Sequence, residues 1–364
     1  MDAVREGSDD VVVIAPPSMA DQVTEAGHEF LAGGEPPETR IAPIRERLPV
    51  ASPAEAAVLG NRELFAHLAA DAMLPAMTDA VDRFRPDLVL RDPCEYASAV
   101  VAYRDRTRTA TIAISLADVE WGSMLAASPV LEDYAPGLTR WLRTLPYLTR
   151  FPASLDPSPF AATVRYHSLA SANSGRPIVR WPAGSGPLVY VSFGTVLGYM
   201  SHATGVFRAA LDALDELPVR ALLTVGRRFD PALLGLVPPN VRIEPWVDQA
   251  DVLGQVDLVV CHGGSGTVLG ALAAGVPLVV VPLFADQFAN ARRVADCGAG
   301  IVVVGTGTKE ENQNPIGFDM APRLANAISI VLADRASYRS AAVQVAEEIS
   351  SSPLPADLLN RFLR

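Results

Sequence analysis

Eight short, nearly unbroken apolar runs separated by longer stretches of helical period constrain this chain more than any other feature. They are DDVVVIAPP (9–17), PDLVLRDP (86–93), ATIAISLA (110–117), PLVYVSFGT (187–195), RALLTVG (220–226), NVRIEPW (240–246), VDLVVCHGG (256–264) and VPLVVVPL (276–283). A half-exposed antiparallel strand alternates apolar and polar residues, whereas a strand covered by helices on both faces is apolar throughout. The chain is therefore expected to be α/β, built of parallel βα units. Its 364 residues suffice for two domains, each with its own core. Between the two sets of strands lies SLASANSGRPIVRWPAGSGP (168–187), rich in Ser, Gly and Pro and without helical period, which reads as a linker. The expected organisation is a domain over 1–170, a linker over 171–187, a second domain over 188–345 and a last helix, 346–364, returning to the first domain. Ligands of open parallel sheets bind beyond the carboxyl ends of the strands, so two such domains would face a common cleft.

Thirty basic against 41 acidic residues give a net charge of −11, which disfavours nucleic acid and anionic membrane as partners. Cys94, Cys261 and Cys297 are isolated, with no metal-ligand spacing. They read as small core residues of a reducing compartment. The apolar run at 276–284 is too short to span a bilayer and holds two prolines, and no basic segment followed by an apolar one opens the chain. A cytoplasmic protein without stable membrane insertion is expected.

The turn His262-Gly263-Gly264-Ser265-Gly266-Thr267 runs from one apolar segment into a helix-like stretch. A helix starting there would present unpaired N–H groups and the positive end of its dipole, an anion site suited to phosphate. A tight βα turn needing glycines only for geometry would look similar, and His262 alone could be a core histidine. Other residues stand at strand ends: Ser192, Gly194 and Thr195 in SFGT, Trp246 after NVRIEP, Asp286 and Gln287 in FADQ, and Asp92 after PDLVLR. Taken singly, Trp246 reads as a core tryptophan, Asp286 as a helix N-cap and Asp92, before Pro93, as a turn residue. The aromatic- and proline-rich segment 118–160 reads either as the lining of a pocket for a bulky apolar ligand or as irregular helical packing.

Together, SFGTV (192–196), EPWVDQADVL (244–253), HGGSGTVLGALAAGVPLVVVPLFADQFANARRV (262–294) and CGAGIVV (297–303) resemble, in order and spacing, the donor half of the GT-B nucleotide-sugar-dependent glycosyltransferases. The likeness is strongest to the bacterial enzymes that decorate polyketides and other natural products, and the N-terminal half is similar to their acceptor domain. The resemblance implies two Rossmann-like parallel-sheet domains facing a cleft. It implies that the N–H groups of Gly264, Ser265 and Gly266, the hydroxyls of Ser265 and Thr267 and the His262 ring cradle a diphosphate. Trp246 would stack on the base while the Val247 backbone reads its edge, Asp286 and Gln287 would bind sugar hydroxyls, and Ser192, Gly194 and Thr195 would line the cleft nearby. Trp121, Met124 and Tyr147 would be walls of the acceptor site. Many relatives carry a Glu eight residues after the motif histidine, where it grips the ribose. Here that position is Gly270, which favours a deoxyribose and hence a dTDP-sugar over a UDP-sugar.

In the family the general base is a histidine in the loop after the first strand. MDAVREGSDDVVV (1–13) begins where the helix after that loop should end, so the first βα unit and its histidine are expected upstream of Met1. Asp92 matches the carboxylate that orients and charges that base. The implied reaction is inverting, metal-independent transfer of a deoxyhexose from a dTDP-sugar co-substrate, with no further cofactor, to a hydroxyl of a lipophilic aglycone. A homodimer is compatible with it. The alternatives are a nucleotide-sugar epimerase or hydrolase of the same fold and a non-catalytic homologue assisting a partner transferase.

Overall fold

The computed structural model describes residues 10–48, 51–167, 181–200, 202–304 and 320–363. Seven of the eight apolar runs contain a strand and the eighth, 110–117, holds all but the first residue of one: β1 (Val12–Ala15), β3 (Val89–Arg91), β4 (Thr109–Ile112), β7 (Leu188–Ser192), β8 (Arg220–Thr224), β9 (Val241–Glu244), β10 (Leu258–Cys261) and β11 (Leu278–Val280). Four more strands are added: β2 (Glu29–Ala32), β5 (Tyr147–Thr149), β6 (Thr163–Arg165) and β12 (Gly300–Val302). Three of these have only three residues, too few to show a period of their own. Among the described residues, every strand pairing is parallel. Among the described residues, no helix is long and apolar enough to cross a membrane.

The chain divides into two compact units, one of Met1–Arg150, Pro157–Ser168 and Pro353–Arg364, the other of Phe151–Asp156 and Leu169–Ser352. The return to the first unit thus starts at Pro353, later than the expected 346, because helix Arg335–Ser350 still packs on helix Ser265–Ala273 of the second unit. The linker expected over 171–187 lies outside the described residues as far as 180, and 181–187 hold no regular element.

The first unit holds the pair β1–β2 and the sheet β3–β4–β5–β6. Arg91, Thr111, Tyr147 and Thr163 stand in register across the four strands. Within the segment 118–160, helix Ala117–Tyr134 and helix Leu138–Leu142 bury Met124, Ala127, Leu131, Leu138 and Leu142 against Tyr147 and Phe160.

The second unit is one sheet of order β12–β11–β10–β7–β8–β9. Helix Ala203–Asp215 repeats apolar residues at Val206, Phe207, Ala210, Leu211 and Leu214, a stripe that covers Val189, Val191 and Leu223. Strands β7, β8 and β9 advance toward one edge, and β10, β11 and β12 then advance toward the other. The reversal falls between β7 and β10, so the loops leaving these two neighbours diverge and open a crevice there.

Candidate functional site

Both glycine turns of interest leave from that reversal point. Ser192, the last residue of β7, is paired in register with Cys261, the last of β10. Gly263 has φ +90°, a left-handed turn, and a Cβ there would lie 2.9 Å from the Gln287 carbonyl oxygen. Gly264, at φ −62° and ψ 138°, is the N-cap of helix Ser265–Ala273 and makes no side-chain cap. The backbone N–H groups of Ser265, Gly266 and Thr267 are then the first of the helix, aimed outward with the dipole behind them. The His262 imidazole lies against the backbone of both turns: a Cβ on Gly264 would be 2.4 Å from its Nε2, and one on Gly194 (φ +79°) would be 2.7 Å away. Its Nδ1 is buried without a hydrogen-bond partner. Burial lowers the His262 pKa below 6.5, against the opposing pull of the Ser192 carbonyl and the Asp286 charge, so the ring is neutral at pH 7.

Of the two hydroxyls expected to donate to a phosphate, one spends its hydrogen within the protein and the other keeps it. Ser265 Oγ donates to Asp286 Oδ2 at 3.1 Å, and the buried Thr267 hydroxyl accepts from Gln249 Nε2 at 3.1 Å. Gln287, expected to bind sugar hydroxyls, is buried, and its Oε1 accepts from the N–H groups of Leu283 and Phe284 at 2.8 and 3.0 Å. This amide thereby closes the loop in which Ala285 takes φ +55°, a strained conformation for a residue with a Cβ. Asp286 occupies the N-cap position of helix Gln287–Asp296 without a side-chain cap bond, so its carboxylate is not a capping group. Ser192 is buried while Thr195 is exposed.

Trp246 follows β9 and is 48 % exposed, so it is not a core tryptophan. The Arg227 guanidinium, from the loop after β8, lies 4.6 Å from its ring centre. Val247 beside it is half-buried. At Gly270, on the same helix as the glycine turn, a Cβ would meet only Leu253 Cδ1 at 3.1 Å and Gln249 Oε1 at 3.9 Å.

In the first unit, Asp92 is exposed immediately after β3, and its Oδ1 accepts from the Cys94 N–H at 2.7 Å. Beside it lies a buried polar cluster. Glu120 Oε1 accepts from the Ile114 and Ser115 N–H groups at 2.8 and 2.7 Å, and its Oε2 from the Tyr147 hydroxyl at 2.7 Å. Arg91, also buried, donates to Thr111 Oγ1 at 3.2 Å and to the carbonyls of Pro93 and Glu95. Met124 and Phe160 help to line a cavity of about 20 Å³ against these groups. Tyr147 stacks on Phe160 with centroids 4.1 Å apart, and Trp121 meets Phe160 edge-on while the Arg143 guanidinium covers it at 4.6 Å. Met124 and Tyr147 are thus interior residues, 5 % and 1 % exposed, and of the three expected acceptor walls only Trp121 is partly open to solvent.

Residues 208–364 match the family model of the C-terminal domain described as erythromycin biosynthesis protein CIII-like. The elloramycin glycosyltransferase of Streptomyces olivaceus is 31 % identical over 317 residues, which are 82 % of this chain and 73 % of that one. The chain belongs to the bacterial natural-product glycosyltransferases. The L-demethylnoviosyl transferase of Streptomyces niveus is 30 % identical over 310 residues, 82 % of this glycosyltransferase and 77 % of the relative. Among solved structures, a spinosyn rhamnosyltransferase complexed with thymidine diphosphate superposes with a TM-score of 0.76 at 23 % identity, covering 100 % of this chain and 94 % of that one. A calicheamicin glycosyltransferase gives 0.75 at 24 % identity, covering 99 % and 92 %. These neighbours give the glycosyltransferase its fold class, GT-B.

Four residues at or beside the glycosyltransferase's glycine turns escaped the sequence reading: Arg227, Gln249, Ala285 and Asn290. Only Asn290 carried a signal, a polar residue at i+3 from Gln287 on a helix that otherwise buries apolar side chains. Glu120 was missed as well, and it makes a testable statement about pH. Burial pushes its carboxyl from 4.5 up to about 7, against the hydrogen bonds from Tyr147, Ser115 and Ile114, with the charge of Asp92 adding a smaller upward push. A carboxyl whose folded pKa exceeds its unfolded value contributes stability that is full below about 4.5 and is lost as pH rises through about 7. The loss is at most about 3 kcal/mol. Glu120→Gln keeps an oxygen for the two backbone N–H groups and an amide for Tyr147 but cannot ionise. Wild-type melting temperature should therefore fall relative to Glu120→Gln between pH 5 and 8. Parallel curves across that window would contradict it.

Proposed function

We propose that this glycosyltransferase moves a deoxysugar from a dTDP-sugar, with inversion and without a metal ion, to a hydroxyl of a hydrophobic natural-product aglycone. The observation that carries the donor half is the His262 ring set against Gly194 and Gly264 at the sheet's reversal point, beside the unpaired first N–H groups of helix Ser265–Ala273. Those N–H groups and neutral His262 hydrogen-bond the diphosphate, and the helix dipole favours its negative charge. As the acceptor oxygen attacks the anomeric carbon, the diphosphate leaves from the opposite face, and the same donors stabilise the charge it gains. They supply what a divalent cation supplies to other diphosphate leaving groups. Trp246 is the platform for the base, with Val247 at its edge, and Asp286 faces the sugar. The Ser265 hydroxyl, which gives its hydrogen to Asp286, and Gln287 Oε1, which accepts from Leu283 and Phe284, fix the loops, while the Thr267 hydroxyl, an acceptor from Gln249, keeps its hydrogen to donate to a phosphate oxygen. Ser192, Gly194 and Thr195 shape the wall opposite the turn. Asp92 serves the general base that takes the acceptor's proton. Trp121, next in sequence to Glu120, and the exposed Ile114, whose N–H donates to Glu120, offer an apolar surface to the aglycone.

The thymidine preference rests on Gly270. A carboxylate at that position would give the 2'-hydroxyl of a ribose a charge-assisted bond, and glycine withholds it. Two relatives whose names carry deoxysugars, the demethylnoviosyl and spinosyn rhamnosyl transferases, support the same donor class. The experiment is incubation with the dTDP and UDP forms of one deoxysugar and a set of lipophilic aglycones, with product analysis by mass spectrometry. Glycoside should form from dTDP-sugar in preference to UDP-sugar. Gly270→Glu, which needs only a small shift of the Leu253 side chain, should improve UDP-sugar use by about tenfold, the worth of one such bond. Equal use of both nucleotides by the wild type would remove the Gly270 argument. Hydrolysis or epimerisation in place of transfer would assign the other nucleotide-sugar chemistries.

A further inference from the structure

We propose that Asn290 is a positioning residue that ties the phosphate turn to the sugar-binding carboxylate, so that the two parts of the donor are gripped as one unit. This rests on the donor-site reading above. Asn290 is 1 % exposed, one turn into helix Gln287–Asp296. Its Nδ2 donates to the Gly263 carbonyl at 2.8 Å, to Ser265 Oγ at 3.2 Å and to Asp286 Oδ2 at 3.2 Å. An amide has two hydrogens for these three acceptors. The shortest contact takes one, and the other is shared between Ser265 and Asp286, which are themselves joined by the Ser265 hydroxyl.

The orientation of the amide follows from the same contacts. Turned over, it would set its oxygen against the Gly263 carbonyl and the Asp286 carboxylate, two acceptors with no hydrogen to give. In the orientation present, Asn290 Oδ1 is buried without a partner. A side chain chosen only to fill space would not leave a buried acceptor unsatisfied, and such an uncompensated group points to what its donors hold. What they hold is the carbonyl of the left-handed Gly263, the first residue of the phosphate helix and the carboxylate beside the strained Ala285. Gln287, three residues earlier on the same helix, fixes the other side of that loop through Leu283 and Phe284. The helix is thus a common mount for the turn and the loop. The amide also offsets part of the Asp286 charge, which would otherwise repel the incoming diphosphate.

If Asn290 couples the two grips, its loss should hurt a complete sugar nucleotide more than the nucleotide alone. Calorimetry with dTDP and with a dTDP-deoxysugar would be run on wild type, Asn290→Ala, Asp286→Ala and the double variant. Asn290→Ala is expected to weaken dTDP about threefold and dTDP-sugar about 30-fold, to raise the donor KM accordingly and to leave the acceptor KM unchanged. In the Asp286→Ala background the additional loss for the sugar should nearly vanish, because the pair acts through one network. Asn290→Ser, which keeps one hydroxyl donor in place of the amide, should fall between wild type and alanine, and it serves if the alanine variant does not fold. A folded Asn290 variant with wild-type affinity for dTDP-sugar, or one that loses dTDP and dTDP-sugar by equal factors, would overturn the proposal. Wild-type protein that fails to bind dTDP would instead overturn the donor reading.

Discussion

Alanine at Gly264 is expected to lower transfer by about 10²- to 10³-fold, the range seen when a donor to a leaving charge is displaced, while leaving the protein folded. The reason lies in the contact and not in the backbone. Gly264 has φ −62° and ψ 138°, an ordinary extended conformation open to any residue. Its added Cβ, however, would fall 2.4 Å from His262 Nε2 and 2.8 Å from Cε1. The imidazole must move, and with Gly194 also close against Nε2 it has little room on that side. Gly194→Ala is a less clean test, because φ +79° adds backbone strain to the same clash. The measurements are kcat with dTDP-sugar, dTDP affinity and melting temperature. Once Gly264→Ala has displaced the ring, His262→Ala should add little, a non-additivity expected of residues that share one interaction. Wild-type turnover by Gly264→Ala would remove His262 from the donor site. The pH dependence has a definite sign. Burial depresses the His262 pKa below 6.5, so its contribution to stability is present above 6.5 and lost as pH falls through the lower folded value.

The parallel α/β class was legible because buried parallel strands are apolar on both faces, and all eight such runs mark strands. Strands β5 and β6 were not, since Tyr-Leu-Thr and Thr-Val-Arg take their place from neighbours in register and not from their own composition. The glycine turn was legible in kind: strand, left-handed glycine, unpaired helix start. The division of labour within it was not. Ser265 and Thr267 follow the turn in sequence, which makes them look like equivalent phosphate donors, yet Ser265 gives its hydrogen to Asp286, 21 residues away, while Thr267 accepts from Gln249, 18 residues away, and keeps its own. Gln287 stands beside Asp286 but turns its amide back onto Leu283 and Phe284. Partners at such separations are fixed by the fold, and no local pattern encodes them. The same holds for Tyr147, whose ring suggested an apolar wall and whose hydroxyl instead serves the buried Glu120.

Asp92 is where the two readings of one residue can be separated by a single atom. Its Oδ1 accepts from the Cys94 N–H at 2.7 Å, an Asx-type turn that orders the chain between β3 and helix Ala97–Asp105. That explains an Asp or an Asn equally well. An orienting role toward a general base requires the negative charge, and the carboxylate is exposed at the carboxyl end of its strand, where such a charge can act. Asp92→Asn preserves the turn, because the amide oxygen accepts the same N–H, and removes only the charge. The expected result is an unchanged melting temperature, dTDP affinity within twofold of wild type and kcat lower by about 10²- to 10⁴-fold, the contribution of general-base catalysis. Nucleotide affinity should hold because Trp246, His262 and the phosphate turn all belong to the other compact unit. Asp92→Ala, which loses the turn as well, should show the same fall in kcat together with a lower melting temperature. If Asp92→Asn retains wild-type kcat, the aspartate is a turn residue alone. The proton acceptor must then be sought without it, and the buried Glu120, its oxygens already taken by three donors, is not positioned to replace it.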